Sequence, residues 1–413
     1  MAVFQLKNLV FPADSTVSVQ AFCFDSKALE KIEAGYISGN GCHQDGSIPD
    51  SLRKFEPVPF KVCGNILDFE LTLRGEGFHT LKLQYTIDGK SDYEYLEFYS
   101  LLPDLYKMFP YKGNFHSHTT DSDGLHTPQN TLCIARESGF DFTAFSEHRL
   151  YTDHNKEFEE LCNILDIKLF HAEEVHSLPR WICHILSIGA REGVTPKQSE
   201  ASYAAMVEEA KADFPELESE LQNYAAQCKV IVKLIHDAGG CAVHCHPFWK
   251  HTGRLNVPHD LAEKMFHDID FDLIELITCE NFNNSLANAK YHELVKSSRD
   301  LPVMAGNDWH GQNQERMACA YNIVFADDCT EEKIISSIRA GKNAAVCGEE
   351  CPMLFGNFRM VSYAQFLVNN YYPAVDSVSE QLGLELICNQ AAPTSRASEL
   401  KAKLDLMKMM LKY

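Results

Sequence analysis

The chain has 413 residues, of which 45% are hydrophobic and 23% are charged, a composition typical of a globular protein. This length is too great for one compact core, so we expect two or three domains. The formal net charge is −21, from 37 Lys and Arg against 58 Asp and Glu, which would repel a phosphate backbone and argues against a nucleic-acid partner.

The cysteines and the apolar segments indicate the compartment. The 15 cysteines include no Cys-x-x-Cys pair, and several, such as Cys133, Cys183 and Cys388, lie in apolar stretches. This distribution is typical of reduced, buried thiols rather than of a disulfide framework. The chain has no run of about 18 apolar residues, and its first residues lack the order of a secretory signal. We therefore predict a cytoplasmic protein without a membrane-spanning segment.

Residues 1–110 are predicted to form a separate β-rich domain. Segments 17–24, 69–73 and 80–87 alternate apolar and polar side chains, as half-buried strands do. The third segment is followed by Asp88-Gly89, a dipeptide typical of tight hairpin turns. The pattern predicts an antiparallel module.

Residues 111–350 alternate between short apolar strands and helical segments. Strands are predicted at 114–118, 142–146, 167–172, 182–188, 241–246, 271–277 and 301–306. Helices are predicted at 127–139, 200–214, 217–238, 258–268 and 284–298. This alternation predicts an α/β domain with parallel strands and outer helices, either an open sheet or a barrel. Residues 351–413 are predicted to form a mostly helical C-terminal extension that includes an amphipathic segment, 395–410.

The segment Gly113–Gly124 carries the first chemical signal. His116 and His118 are two positions apart, so on a strand both imidazoles point to one face and can reach one metal ion. Asp123 follows in a Ser-Asp-Gly turn, and loops at strand ends are where α/β folds place catalytic groups. A solvated surface strand is the competing interpretation of this segment by itself.

Further histidine and acidic clusters recur at the ends of the predicted strands. They are Ser146-Glu147-His148, Ala172-Glu173-Glu174-Val175-His176, His184, His244-Cys245-His246-Pro247 and Gly306-Asn307-Asp308-Trp309-His310. Each cluster alone is weak evidence, because a buried histidine bonded to a carbonyl group is common. Their recurrence in successive strand–helix units predicts one shared site.

These motifs resemble, in order, those of the PHP superfamily, the polymerase and histidinol phosphatase metal-dependent phosphoesterases. The resemblance covers about residues 112–347 and implies a distorted (β/α)7 barrel with two or three divalent metal ions at its strand ends. The metal ligands that it implies are His116, His118, Asp123, His148, Glu174, His184, His246, Asp308 and His310. His126, His176 and His244 are neighbours of uncertain role, and the His-Pro match favours His246 over His244.

The chain departs from the family pattern at two positions. Glu147 stands where the family usually has Asp, which lengthens the acid by one methylene group and alters the support of His148. Ala172-Glu173-Glu174 stands where the family usually has Gly-x-Glu, which leaves Glu173 and Glu174 as alternative ligands, with the register favouring Glu174.

The donor types predict the metals and the reaction. Imidazoles mixed with carboxylates suit Zn, Mn or Fe better than Mg or Ca. By resemblance, Glu174 joins two metals. The first of these is also bound by His116, His118 and Asp308, and the second by His184 and His246. A third metal is held by Asp123, His148 and His310. A bridging hydroxide activated by the metals would then hydrolyse a small phosphate ester, a phosphorylated metabolite or a nucleotide.

Residues near the ligands are candidates for substrate contacts. Arg149 follows His148 and is predicted to clamp the phosphate, while His176 is a candidate leaving-group acid or a cap on the site. Other cations near the site strands are as consistent with solvated surface charge, and they are Arg180, Lys250 and Arg254. Trp249 and Trp309 lie close to ligands, either as an apolar wall or as packed core residues.

Two other functions remain open. The same cluster could hydrolyse a carbamate, ester or amide bond, which an apolar pocket without cations would favour over phosphate. Alternatively, the chain could be a noncatalytic, metal-binding regulatory protein whose β-rich domain makes the contacts. The sequence leaves open the substrate, the metal and the oligomeric state.

Overall fold

The computed structural model describes residues 2–39, 44–45, 47, 54–279, 281–297, 301–312, 316–348 and 351–411. They form two compact units. Unit 1 contains Met1–Phe109, Ser362–Val375 and Ala402–Tyr413, and unit 2 contains Pro110–Val361 and Asp376–Lys401. The predicted extension 351–413 is thus divided between both units, and the predicted boundary at residue 350 lies outside the described residues. No helix within the described ranges is long and apolar enough to cross a membrane.

Unit 1 is built on two sheets. Its strands are β1 (Phe4–Leu6), β2 (Val10–Pro12), β3 (Ser15–Cys23), β4 (Ile32–Ser38), β5 (Glu56–Pro57), β6 (Lys61–Cys63), β7 (Ile66–Leu73), β8 (Gly77–Ile87) and β9 (Lys90–Leu101). One sheet has the order β1-β3-β7-β6 and the other β2-β9-β8-β4-β5. Pairing is antiparallel except between β2 and β9.

The predicted β-rich character of this region is confirmed. Strand β7 buries every second residue, Leu67, Phe69, Leu71 and Leu73, because alternate side chains of a strand face one side of its sheet. Asp88 and Gly89 join β8 to β9 with φ of +49° and +78°, the left-handed conformation that a two-residue hairpin turn requires.

Unit 2 contains a ten-stranded sheet. The strands are β10 (Phe109–Asn114), β11 (Phe142–Phe145), β12 (Lys168–His176), β13 (His184–Ile188), β14 (Cys241–His244), β15 (Lys250–His251), β16 (Arg254–Leu255), β17 (Leu273–Ile277), β18 (Val303–Ala305), β19 (Ala320–Ala326), β20 (Asn343–Cys347) and β21 (Met353–Gly356). The order is β18-β17-β14-β13-β12-β11-β10-β19-β20-β21, and β15 and β16 form a separate hairpin.

Helices alternate with these strands. The α-helices of the chain are α1 (Pro103–Tyr106), α2 (Pro128–Glu137), α3 (Glu159–Leu165), α4 (Ala201–Ala210), α5 (Ser219–Asp237), α6 (His259–Asp268), α7 (Asn281–Lys296), α8 (Glu331–Arg339), α9 (Phe358–Asn370), α10 (Tyr372–Cys388) and α11 (Ser395–Lys408). Short 3-10 helices lie at Ser26–Glu30, Thr195–Ser199, Lys211–Asp213, Met317–Cys319 and Met409–Leu411. The predicted α/β class is confirmed, and α2 begins as expected, with the Thr127 hydroxyl accepting from Asn130 N and Pro128 in its first turn.

The expectation of parallel strands throughout was wrong for part of the sheet. Strands β10, β11 and β12 are parallel, as are β14, β17 and β18. Strand β13, however, runs antiparallel to both β12 and β14. The loop 177–183 that precedes β13 is too short for a crossover helix, so the chain turns back as a hairpin. Strands β19, β20 and β21 are also antiparallel.

Several element ends also differ from expectation. The predicted helix 200–214 is α4 followed by a 3-10 turn, and position 298 of the predicted helix 284–298 lies outside the described residues. Strand β12 extends to His176, past the predicted end at 172.

Two buried asparagines connect β18, at one end of the strand order, to β19 and β20, which lie near the other end. Asn322 on β19 accepts a hydrogen bond from Ala305 N (2.9 Å) and donates one to Ala305 O (2.7 Å) on β18. Asn343 on β20 donates to Val303 O (2.8 Å) on the same strand. The sheet therefore curls into a barrel-like form in which side-chain amides bond to the backbone of β18.

One disulfide departs from the prediction of reduced thiols. Cys279 and Cys319 of unit 2 are joined by a disulfide bond, and their Cα atoms are 6.1 Å apart. Cys133 and Cys183 are buried free thiols, as expected, but the expectation was wrong for Cys388, which is an exposed free thiol.

Candidate metal centre

The site lies where strands of unit 2 end. Strand β10 stops at Asn114, earlier than predicted, and His116 and His118 lie just beyond it. Asn114 holds this segment, because its side chain accepts from His116 N and donates to His116 O, each at 3.1 Å. Both imidazoles are fully buried, so the segment presents two fixed nitrogen donors to the interior.

Four predicted ligands form the first donor group. Asp308 Oδ1 lies 3.2 Å from His116 Nε2 and 2.9 Å from His118 Nε2. Glu174 Oε2 lies 3.1 Å from His116 Nε2 and 3.3 Å from His118 Nε2. The two carboxylates and two imidazoles therefore converge on one point.

A second donor group forms around the other oxygen of Glu174. Glu174 Oε1 lies 2.6 Å from His184 Nδ1 and 3.2 Å from His246 Nε2. The Cys245 thiol is 3.9 Å from the same oxygen. Glu174 thus faces imidazoles with both of its oxygens.

The third group is the most accessible to solvent. His148 Nε2 and His310 Nε2 are 3.2 Å apart, and Asp123 Oδ1 lies 3.5 Å from the first and 3.3 Å from the second. His176 joins this edge, because its Nε2 lies 2.9 Å from His148 Nδ1. The structure therefore brings all nine predicted ligands to the same end of the strands of unit 2.

The spacing of these atoms fits metal coordination. Donor atoms bound to one ion at about 2.1 Å lie roughly 3.0 to 3.4 Å apart in octahedral or tetrahedral arrangements, and the first group spans 2.9 to 3.3 Å. Within the described residues, no Lys or Arg forms an ion pair with Glu174 or Asp308. Because buried carboxylates need compensating charge, this donor set suits divalent cations.

The electrostatics of the cluster point the same way. Burial acts to raise the pKa of Glu174, but the imidazoles of His148, His184 and His116 outweigh burial and hold this pKa well below its ordinary value. Burial acts to lower the pKa of His116, but the carboxylates of Glu275, Asp308 and Glu174 raise it well above its ordinary value. The pocket around Glu174 therefore stabilises positive charge.

Glu173 and His244, the two alternative ligands within the sequence motifs, both lie away from the donor cluster. Glu173 points away from the cluster, and its carboxylate accepts from Val194 N and from Thr195 N (3.2 Å). His244 packs against Phe266 and Phe271, with ring centroids 4.6 and 4.9 Å away.

His126 also lies apart from the donor groups. Its ring stacks on Trp309 with centroids 5.4 Å apart, and it does not line the cavity over the cluster. Trp309 itself is buried, as its core interpretation predicted.

Sequence reasoning missed Glu275, which supports two of the ligands. This fully buried residue of β17 accepts from His116 Nδ1 at 2.7 Å through one oxygen and from His246 N at 2.7 Å through the other. The first bond leaves His116 Nε2 free to face the cluster, as carboxylate–histidine pairs do in metal sites. A single acid inside the apolar run Leu273–Ile277 was the signal that could have found it.

Glu147 supports the loop between ligands. Its buried carboxylate accepts from Thr119 N (3.0 Å), from Thr119 Oγ1 (2.7 Å) and from Ser122 Oγ. Thr119 follows His118 and Ser122 precedes Asp123, so one side chain fixes the path between two predicted ligands.

A cavity of about 570 Å³ opens over the cluster. Besides ligands, it is lined by Arg149, Arg180, Trp181 and Trp249, whereas Lys250 and Arg254 lie outside its lining. Four lining residues other than glycine have a positive φ, namely Arg149 (+54°), Trp181 (+52°), His246 (+24°) and Asp308 (+48°). Such backbone strain concentrates at functional sites.

The fold and the cluster together define an α/β protein with a candidate multinuclear metal centre. No family model matches the chain, and no curated protein matches it.

Solved structures do match. A two-domain protein from Bacteroides vulgatus, described as containing a predicted PHP-like metal-dependent phosphoesterase, is 17% identical over 65% of this chain and 72% of that chain, with a TM-score of 0.44. A protein provisionally named a metal-dependent phosphoesterase, from Bifidobacterium adolescentis, is 18% identical over 49% and 89% of the two chains, with a TM-score of 0.34. An amidohydrolase from Chromobacterium violaceum is 17% identical over 50% and 89%, with a TM-score of 0.33.

Proposed function

We propose that this protein is a metal-dependent phosphoesterase that hydrolyses a small phosphate ester. The observation that carries the proposal is the sharing of Glu174, whose two oxygens face two separate groups of imidazoles within 3.3 Å. A shared carboxylate of this kind is the natural bridge of a multinuclear hydrolase.

The assignment of ligands follows the three donor groups. His116, His118, Asp308 and Glu174 would hold one ion, Glu174 with His184 and His246 a second, and Asp123, His148 and His310 a third. The mixture of imidazole and carboxylate donors suits Zn, Mn or Fe. When bound, such ions supply an activated water molecule and neutralise the charge of a phosphoryl group.

The protein's own groups then bind and orient the substrate. Arg149 lines the same cavity and forms no ion pair with any residue that the structure describes, so its guanidinium group is available to a phosphoryl oxygen. Glu275 and Glu147 hold the ligand segments in place.

His176 is placed beside the third donor group. Its Nε2 lies 2.9 Å from His148, and burial lowers its pKa to about 3, so it is a neutral imidazole at neutral pH. An imidazole in that form carries no acidic proton for a leaving group, so the lowered pKa favours a role for His176 as a cap on the site over that of leaving-group acid.

The test combines metal analysis with a substrate screen. Purified protein loaded with Mn, Zn or Fe is assayed against phosphorylated metabolites, nucleotides and aryl phosphates, with matched carboxylate esters and amides in parallel. We expect phosphate release that is lost in His118→Ala and Asp308→Ala. Turnover of amides or esters alone would contradict the phosphate assignment, and no turnover of any substrate by metal-loaded protein would favour a binding or regulatory role.

A further inference from the structure

The cavity is larger than a phosphoryl group needs. Its volume of about 570 Å³ lies within the range of roughly 300 to 1,000 Å³ that small-molecule sites occupy. The donor cluster lines part of it. Trp181 of the loop 177–183, and Trp249, which precedes the hairpin β15–β16, line it as well. The cavity therefore offers an aromatic lining beside the donor cluster.

Arg149 and Trp181 form a stacked pair in this lining. The guanidinium carbon lies 3.8 Å from the centroid of the indole ring, and Trp181 is 44% exposed. Arg180 lines the same cavity, but it is already paired with Glu220 at 3.0 Å. Arg149 is thus held by an aromatic face, which fixes its position without neutralising its charge.

The loop that carries Trp181 is anchored on several sides. Trp181 N donates to Ser177 O (3.0 Å), and its carbonyl oxygen accepts from His184 Nε2 (3.1 Å). Gln227 accepts from Leu178 N and donates to Leu178 O, at 2.8 and 2.7 Å. The exposed indole therefore sits on an ordered backbone rather than on a free loop.

Trp249 is tied to the same structure through Asn256. Asn256 N donates to Trp249 O (2.9 Å), while its side-chain amide donates to Ile182 O (3.0 Å). The Trp249 ring lies 5.6 Å from the ring of His184 and 5.8 Å from that of His246, so it borders the second donor group. Two indoles therefore line one cavity on segments that a single asparagine links.

We propose that Trp249 forms, beside the stacked Arg149–Trp181 pair, a subsite for a flat organic group esterified to the phosphate. The inference rests on the proposed function and narrows its substrate class to phosphate esters of ring-bearing alcohols. Trp249 provides the surface against which the ring packs, and Trp181 is a positioning residue that acts through Arg149. Indole faces favour planar groups, because stacking adds to the gain from burying apolar area.

The test measures binding rather than turnover. Phenylphosphonate and methylphosphonate, whose phosphorus–carbon bonds resist hydrolysis, are titrated calorimetrically into the manganese-loaded protein. We expect the wild-type protein to prefer phenylphosphonate by roughly tenfold, the scale of one aromatic contact with its buried area. Trp249→Ala should abolish this preference and leave the affinity for methylphosphonate within about twofold. Trp249→Phe, which keeps a ring, should retain most of the preference.

Trp181→Ala should have a different effect. It should weaken both phosphonates to a similar degree, because it removes the support of Arg149, and Trp181→Phe should restore the affinity for both. Unchanged affinities in Trp181→Ala would overturn the role of the stacked pair. Equal wild-type affinities, or equal loss of both ligands in Trp249→Ala, would overturn the subsite while leaving the phosphoesterase proposal standing. Binding of neither phosphonate would overturn the proposed function and the subsite together.

Discussion

Glu275 offers the sharpest test of how the ligands are held. Each of its two oxygens accepts one hydrogen bond, from His116 Nδ1 and from His246 N, both at 2.7 Å. In Glu275→Gln the side chain keeps its shape but has one accepting oxygen, so its NH₂ group must face one of these two donors. One ligand therefore loses its support, and one buried N–H group is left without an acceptor.

The size of the effect can be worked from these bonds. Leaving one buried donor without its charged acceptor costs about 1 to 3 kcal/mol. Loss of a hydrogen-bond partner that orients a metal ligand lowers metal affinity by roughly 10- to 100-fold. We expect the loss to appear in competitive titration of manganese or zinc against a chelator. Amide hydrogen exchange should also rise at residues 114–118, because the His116 ring is then less firmly held.

Glu173→Gln is the matched control. Glu173 is an equally buried carboxylate next to Glu174, but it accepts from the backbone of Val194 and Thr195 instead of supporting a ligand. It should destabilise the fold to a similar extent and leave metal affinity within about twofold. The reasoning would be refuted if Glu275→Gln bound metal as tightly as the wild-type protein. It would also be refuted if Glu275→Gln and Glu173→Gln lost the same amount of metal affinity.

Three further predictions concern other parts of the chain. Glu147→Gln should speed amide exchange in the loop 119–122 and lower metal affinity several-fold, because the amide oxygen replaces only part of a carboxylate that accepts three hydrogen bonds; unchanged exchange would contradict this. Asn322→Leu should lower the free energy of unfolding by about 2 to 4 kcal/mol in denaturant titration, since it leaves an N–H and a C=O group of β18 unpaired. His79 is buried, and burial lowers its pKa from 6.5 to about 4. As pH falls from 6.5 to 4, the unfolded chain takes up this proton before the folded chain does. The free energy of unfolding should therefore drop by about 3 kcal/mol. Hydrogen exchange in β8 should show that drop, and a His79→Gln variant with the same pH dependence would refute it.

The residues that meet in the donor cluster were predictable because each is a local signal. His116, His118, His148 and Asp308 stand next to apolar strands, where a histidine or an acid is conspicuous. The supporting residues were not. Glu275 is one acid within an apolar strand, and nothing local indicates that its partner lies 159 residues earlier in the chain.

Strand direction and barrel closure were also beyond sequence reasoning. Periodicity reports which side chains are buried, but it carries no information on direction, so β13 was expected to be parallel. Asn322 and Asn343 are isolated polar residues in apolar strands, and their bonds to β18 exist only once the sheet has curled. Trp181 lies in a loop without periodicity, so its contact with Arg149 had no sequence signal.

The distance along the chain between the first and last donor segments bears on biosynthesis. His118 meets Asp308, which is 190 residues further on, and β10 pairs with β19 as well as with β11. At typical translation rates of roughly 5 to 20 residues per second, about 10 to 40 seconds separate the synthesis of these two residues. During that interval the nascent chain carries its first histidines without their last partner. The donor group of His116, His118, Glu174 and Asp308 can therefore be complete only after residue 308 has been synthesised.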